Sequence, residues 1–359
     1  MASDTSAPAP LELGLDTFGD VTEGPDGTRL PYDQVIRHIV DQAVLADEVG
    51  LSFFGVGEHH RDDFAVSAPE VVLAAIASHT SRIHLGTAVT VLSSDDPIRV
   101  YERFATLDAV SNGRAEVILG RGSFTESFPL FGFDLSQYEE LFSEKLDLFA
   151  ALRSEGPISW QGELRPPLVD QEVFPKTASG SLMTWVGVGG SPESVVRAAR
   201  YGLPLMIAII GGPPAQFAPF AQLYRQALEQ LGHPRLPIGV HSPGHVADTD
   251  EQAREELWPH FAAQRERIGR ERGWPPPTRA EFEASAGPEG AVYVGSPETV
   301  AAKIVRNARL LGIDRFDLKF SNGALAHEKL MRSIELYGTE VAPRVHAALA
   351  DADRTAVDS

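Results

Sequence analysis

The sequence predicts an α/β protein, a (β/α)8 TIM barrel with insertions, and three observations carry the prediction. Short apolar runs alternate with longer helical patterns from Leu11 onward, the signature of βα units around a parallel sheet. About eight such runs occur, which is the barrel number. Residues capable of chemistry cluster just past the C-terminal ends of those runs, the edge at which a barrel gathers its active site.

Taken in order, the predicted strands are 11–17, 51–56, 83–90, 115–119, 184–188, 204–210, 237–246 and 316–320. The helices between them are 33–49, 69–80, 97–110, 137–153, 192–201, 214–231, 297–311 and 324–342. Several begin on proline, whose missing N–H costs nothing in a first turn. Two stretches break the rhythm. Residues 156–181 hold Pro157, Pro166, Pro167 and Pro175 and read as a small inserted hairpin. Residues 250–290 begin as a charged helix and run through Gly273-Trp274-Pro275-Pro276-Pro277 to Gly287-Pro288, a lid-like connection that a plain loop would match equally well. No linker interrupts the rest. Residues 11–346 are therefore expected to form one domain, flanked by a disordered tail at 1–10 and a C-terminal tail at 347–359.

Composition narrows the function. With 31 basic and 50 acidic residues the formal net charge is −19, which argues against nucleic acid or an anionic membrane as the main partner. Cysteine is absent, so disulfides, thiolate metal sites and thiol nucleophiles are excluded. No apolar stretch approaches the ~18 residues of a membrane span, and residues 1–10 lack the basic and apolar regions of a signal peptide. A soluble, cytoplasmic protein is expected.

Four patterns carry chemistry. Glu58-His59-His60 sits just past the apolar run 51–57, where the alternative is a surface loop with two solvated histidines. Arg121 arrives between Gly120 and Gly122 at the end of strand 115–119, where a fixed bidentate cation suits a phosphate or carboxylate; the alternative is a surface salt bridge. Gly189-Gly190-Ser191-Pro192-Glu193-Ser194 follows strand 184–188 and opens a helix, so backbone N–H groups and two hydroxyls could hold a phosphate, or the run is an ordinary capped helix. It is no dinucleotide fingerprint, since Pro192 stands where a glycine is required. The nearly identical run at 295–300 is read as a second use of the same cap. Finally, residues 123–133 are unusually aromatic, and Phe124, Phe128 and Phe131 are candidates to line an apolar substrate pocket or to cover the barrel mouth.

Glu58-His59-His60, the run 85–92 with Pro97-Ile98-Arg99, Leu107-Asp108, the turn 111–114 and Gly120-Arg121-Gly122 together resemble the bacterial-luciferase-like, flavin-dependent monooxygenase family over roughly residues 11–345. The resemblance implies an enzyme in which reduced flavin mononucleotide (FMN) and dioxygen form a flavin hydroperoxide that oxygenates a small organic substrate, aldehyde- or ketone-like or otherwise apolar. It places Arg121, Gly189, Gly190, Ser191 and Ser194 at the FMN phosphate, Ala88 and Val89 at a non-proline cis peptide beneath the flavin ring, and His59 as the catalytic histidine with His60 beside it. It also implies a homodimer formed through the helices beginning at Pro69 and Pro97, and a separate NAD(P)H:flavin reductase, since no nicotinamide motif is present. Light-emitting members carry a reactive cysteine where Gly120 stands, so luminescence is not implied. Two other readings remain: a deazaflavin-dependent hydride-transfer enzyme on the same barrel, and a flavin-binding protein without catalysis. A metal site at His59 and His60 is disfavoured because adjacent strand-end residues point apart.

Overall fold

The computed structural model describes residues 9–122 and 124–357, so most of the expected tail at 1–10, and Ser123, lie outside the described residues. Eight parallel strand positions form the barrel: β1 (Glu12–Thr17), β2 (Phe53–Val56), β3 (His84–Thr87), β4 (Glu116–Gly120), β5 (Met183–Val188), β6 (Leu205–Ala208), β7 (Ile238–Val246) and β8 (Arg315–Lys319). They pair in the order β3-β2-β1-β8-β7-β6-β5-β4. Their residues are buried almost throughout, as a sheet enclosed by helices requires.

The expected strand 83–90 is delivered in two pieces. After pairing with β2 through Thr87, the chain leaves that ladder at a cis Ala88–Val89 peptide and resumes as Thr90–Val91 against Leu119–Gly120 of β4. With a bridge from Leu85 to Ala115, this nearly closes the ring. The strand therefore changes partners at the two residues singled out in the sequence.

The insertions also take shape. Ile158–Trp160 and Leu168–Gln171 form the expected antiparallel hairpin. The connection 250–290 is not a plain loop: helix Asp250–Arg272 is followed by helix Arg279–Ala286 and a strand, Tyr293–Gly295, beside the end of β7. Its prolines only turn the corner between helices. A capping box joins Thr278 and Glu281 at the second helix start, and Leu257, Phe282, Ala286, Val292 and Val294 give the unit its own small core. The first helix docks on the loops after β1 and β2: Gln264 donates to Asp20 (3.1 Å), and Arg61 donates to both oxygens of Glu271 (2.8 and 2.6 Å).

At the C-terminus, helix His327–Leu336 passes through a π-helical turn, Tyr337–Val341, into helix Ala342–Val357. The boundary expected at 346/347 falls inside this last helix. The alanine-rich sequence favours helix, and Ala348 and Leu349 pack on the core.

Inside the barrel, Phe53, Ile118, Trp185 and Met206 form a layer of their own. At its N-terminal side Arg315 lies between Phe53 and Trp185, 4.7 and 4.6 Å from their ring centroids, and binds Glu116 through two hydrogen bonds (2.7 and 3.0 Å). Trp185 Nε1 also donates to Glu116 (2.9 Å), and His84 pairs with it. Burial alone would raise the Glu116 pKa, but Arg315 and His84 hold it down at about 2. A lowered carboxyl pKa contributes stability that is present above the unfolded value of about 4.3 and lost as pH falls through the folded one. Glu116→Gln strands a buried guanidinium and is expected to destabilise the fold by about 3–5 kcal/mol at pH 7. In urea denaturation the deficit relative to the parent should shrink as pH is lowered from about 4.3 toward 2; a deficit independent of pH there would contradict this account.

Candidate active site

Because the strands are parallel, the residues that follow them converge at one mouth, around a cavity of about 280 Å³. The loop after β2 supplies Glu58, His59 and His60 to its wall. The three side chains have different jobs. Glu58 accepts from the Val91 N–H (2.9 Å) with one oxygen and pairs with His60 Nε2 (2.9 Å) with the other, tying this loop to the piece of strand beyond the cis peptide. His59 sits among Phe18, Phe64 and Phe124, with ring centroids 5.0, 4.2 and 5.1 Å away. Its Nδ1 is 3.5 Å from Glu126 Oε1. Burial opposes charge on Glu126, yet the His59 side chain and backbone N–H groups keep its carboxyl below the usual range. An imidazole held in an aromatic box beside a carboxylate can accept a proton and return it.

A second group gathers where β4 and β5 end. Arg121 lies over the Tyr138 ring (5.4 Å) and pairs with Glu139, whose other oxygen accepts from Arg197 Nη2 (3.1 Å). Arg197 belongs to helix Pro192–Arg200, which is capped by Ser191: its hydroxyl accepts from the Ser194 N–H (3.3 Å). At this helix start the Glu193 carboxyl is lowered by its own backbone, by Ser191 and by the charges of Arg197 and Arg121. Gly190 takes φ +128°, which disfavours other residues, and among the described residues beyond its chain neighbours nothing lies within 4 Å of where a Cβ on Gly189 would stand. Arg197 Nη1 is buried without a hydrogen-bond partner among the described residues. Two guanidinium groups, a helix N-terminus, an open backbone and an unsatisfied donor suit a phosphate ester.

Of the residues singled out in the sequence, His59, His60, Ala88, Val89, Arg121 and Gly189 line this cavity, and so does Phe124. Gly190, Ser191 and Ser194 stand at the adjoining helix start. The other two aromatic candidates do not line it. Phe128 is buried against Tyr138, and Phe131 is half exposed, edge-on to His60 in a neighbouring groove. Their short helix, Ser127–Phe131, turns these rings away from the mouth. At position 120 a Cβ would come within 2.5 Å of Val89 Cγ2, so this backbone leaves no room for a cysteine.

Sequence reading missed Glu126, Arg197, Asp16, His241 and Asp317. Asp16 Oδ2 and His241 Nδ1 are 2.6 Å apart within the barrel, and Asp317 lies on the strand between theirs. They belong to strands read as apolar, far apart in sequence. An acidic residue inside a fully buried strand was the available signal.

The fold and site define a (β/α)8 enzyme whose mouth places two arginines and a helix start beside an apolar cavity that holds an imidazole. The chain belongs to the luciferase-like monooxygenase family, whose sequence model matches residues 17–315, and is an oxidoreductase. It is 28% identical over 328 residues to 4-hydroxyprotoasukamycin monooxygenase of Streptomyces nodosus subsp. asukaensis, spanning 86% of this chain and 87% of that protein. Its fold is similar to monooxygenase RslO1 from Streptomyces bottropensis (TM-score 0.80, 24% identity, 93% and 99% coverage). It is also similar to the oxygenating constituent of 3,6-diketocamphane monooxygenase from Pseudomonas putida, solved with FMN (TM-score 0.75, 18% identity, 94% and 99% coverage).

Glu139 holds both arginines, so an entering phosphate must displace it. Glu139→Gln is expected to tighten binding of inorganic phosphate about fivefold in low-salt calorimetry, the equivalent of an exposed ion pair of about 1 kcal/mol. Unchanged affinity would show that the carboxylate does not compete.

Proposed function

We propose that the protein oxygenates a small organic substrate, aldehyde- or ketone-like or otherwise largely apolar, using reduced FMN and dioxygen, with the reduced flavin delivered by a separate NAD(P)H:flavin reductase. The observation that carries this reading is that Arg121 and Gly189 line the same cavity as His59, while Glu139 ties Arg121 to Arg197 of the adjoining helix that Ser191 caps. Arg121, Arg197, Ser191, Ser194 and the Gly189 and Gly190 backbone would hold the flavin's phosphate. Ala88 and Val89 would support the ring. Bound reduced flavin supplies the electrons that activate dioxygen. The protein's part is to exclude water and handle protons: Phe18, Phe64 and Phe124 dry the surroundings of His59, and Glu126 orients its imidazole. His60, tied to Glu58, shapes the wall instead.

A structural neighbour that works with F420, a secondary alcohol dehydrogenase solved with an F420–acetone adduct (TM-score 0.71, 17% identity, covering 94% of this chain and 99% of that one), favours the deazaflavin reading enough to require a test. Fluorescence titration should show FMN binding, and turnover with reduced FMN should consume dioxygen. His59→Ala is expected to lower turnover by about 10²–10⁴-fold while FMN binding is retained. Retained turnover in that variant would remove His59 from the mechanism, and turnover without oxygen uptake would decide for hydride transfer.

We further propose a homodimer through helices Pro69–Ala77 and Pro97–Ser111. Val71 and Val110 are exposed on these helices, beside an apolar groove reaching Ala74 and Leu107. Light scattering at micromolar concentration should give the mass of two chains, and Val71→Asp with Val110→Asp should give one; a parent protein of monomer mass would contradict the proposal.

A further inference from the structure

The floor of the cavity is built from three consecutive strands of the barrel, each contributing one inward-facing polar side chain: Asp16 from β1, Asp317 from β8 and His241 from β7. Asp317 pairs in register with His241 on one side and with Gly14 on the other, and a Cβ on Gly14 would come within 2.1 Å of Asp317 Oδ1. The missing side chain at Gly14 is what gives the carboxyl its place. Asp16 and Asp317 are each only 1% exposed, yet Oδ1 of both is buried without a hydrogen-bond partner among the described residues. Such an omission costs about 1–3 kcal/mol per group and is not what packing alone would select. His241 is stacked against Phe18 (centroids 5.7 Å apart, planes 13° apart), and among the described residues its one hydrogen bond runs from Nδ1 to Asp16, with no partner at Nε2 on the cavity wall.

We propose that this floor is a substrate subsite for an aromatic hydroxyl group, which donates its hydrogen bond to His241 Nε2 and accepts one from the Asp317 carboxyl, so that the substrate class is hydroxyaromatic. The proposal rests on the flavin reading only in supposing that the flavin's phosphate and ring lie at Arg121 and Val89, leaving the floor to the substrate. Within the neutral imidazole Asp16 selects the tautomer: accepting from Nδ1–H, it leaves Nε2 as the acceptor. Burial and the neighbouring Asp16 charge drive the Asp317 pKa well up against the pull of Arg315, toward the neutral carboxyl whose O–H can donate. An acceptor next to a donor is the pattern that a hydroxyl matches with one atom. An ammonium would offer donors only, and an ether or hydrocarbon would leave His241 unpaired. The lining beside these groups is apolar, with Phe18, Ile118, Met206 and Ala208 suited to the ring that carries the hydroxyl.

The test is a comparison of 2-naphthol with 2-methoxynaphthalene by calorimetric titration into protein saturated with FMN. The naphthol should bind about tenfold more tightly, the difference one satisfied buried hydrogen bond makes. The preference should fall to less than about twofold in His241→Phe and in Asp317→Leu, with FMN affinity unchanged in both. Asp317→Leu also guards against misfolding, because replacing an unsatisfied buried carboxyl by an apolar isostere is neutral or stabilising; its Tm should be at or above that of the parent. Equal affinity for the two compounds in the parent, or a preference that survives both substitutions, would overturn the proposal. Failure of FMN to bind would instead refute the flavin reading, and the same pair titrated into the unloaded protein would then decide the subsite.

Discussion

Charge buried in the barrel lumen is the constraint around which the rest of this structure is arranged. A parallel barrel cannot expose the inside of its strands, so any charge placed there must be matched by other charges and hydrogen bonds. Glu116 and Arg315 satisfy each other below the layer of Phe53, Trp185 and Met206, with Glu12 and His84 completing their hydrogen bonds. That plug closes one end. Above it the lumen is left open, and the polar groups that line the opening, Asp16, His241 and Asp317, are only partly satisfied. The contrast between a saturated end and an unsaturated end separates the structural half of the barrel from the chemical half.

The mouth is organised by the same economy. His59 is held by stacking and by one carboxylate, while the station at Arg121 is held by a carboxylate that half faces solvent and can leave. Glu58 couples the two strands on which these groups depend, since it bonds both His60 and the Val91 backbone beyond the cis peptide. The helix Asp250–Arg272 is anchored to the adjacent loop through Arg61 and Arg267, and these surface ion pairs should weaken with salt.

Much of this was legible in the sequence, for identifiable reasons. Strands such as 53–56 and 205–208 are apolar on both faces, and helices such as Pro97–Ser111 and Pro297–Leu311 start on proline and end before Asn112 or Gly312 in left-handed conformation. His59, Arg121 and Ser191 were legible because each sits beside glycines or a cap at a strand end. Helix Arg279–Ala286 was hidden by the proline run before it, and Tyr293–Gly295 was too short to show a period. Arg197 lies on an amphipathic helix, where an arginine is ordinarily a surface residue. Asp16, His241 and Asp317 were missed because their meaning depends on strand neighbours separated by more than 200 residues from β1, a relation that no local pattern encodes.

The central claim is that the Arg121 and Arg197 station holds the phosphate of a flavin whose ring enters the cavity beside His59. The most direct measurement is the affinity of FMN relative to riboflavin, which has the same ring and no phosphate, determined by quenching of flavin fluorescence at low salt. The account predicts that FMN binds at least about tenfold more tightly, as loss of charge-assisted hydrogen bonds to two arginines requires, and that the gap closes in Arg121→Ala. Equal affinity for the two compounds, or a gap unchanged in that variant, would contradict it.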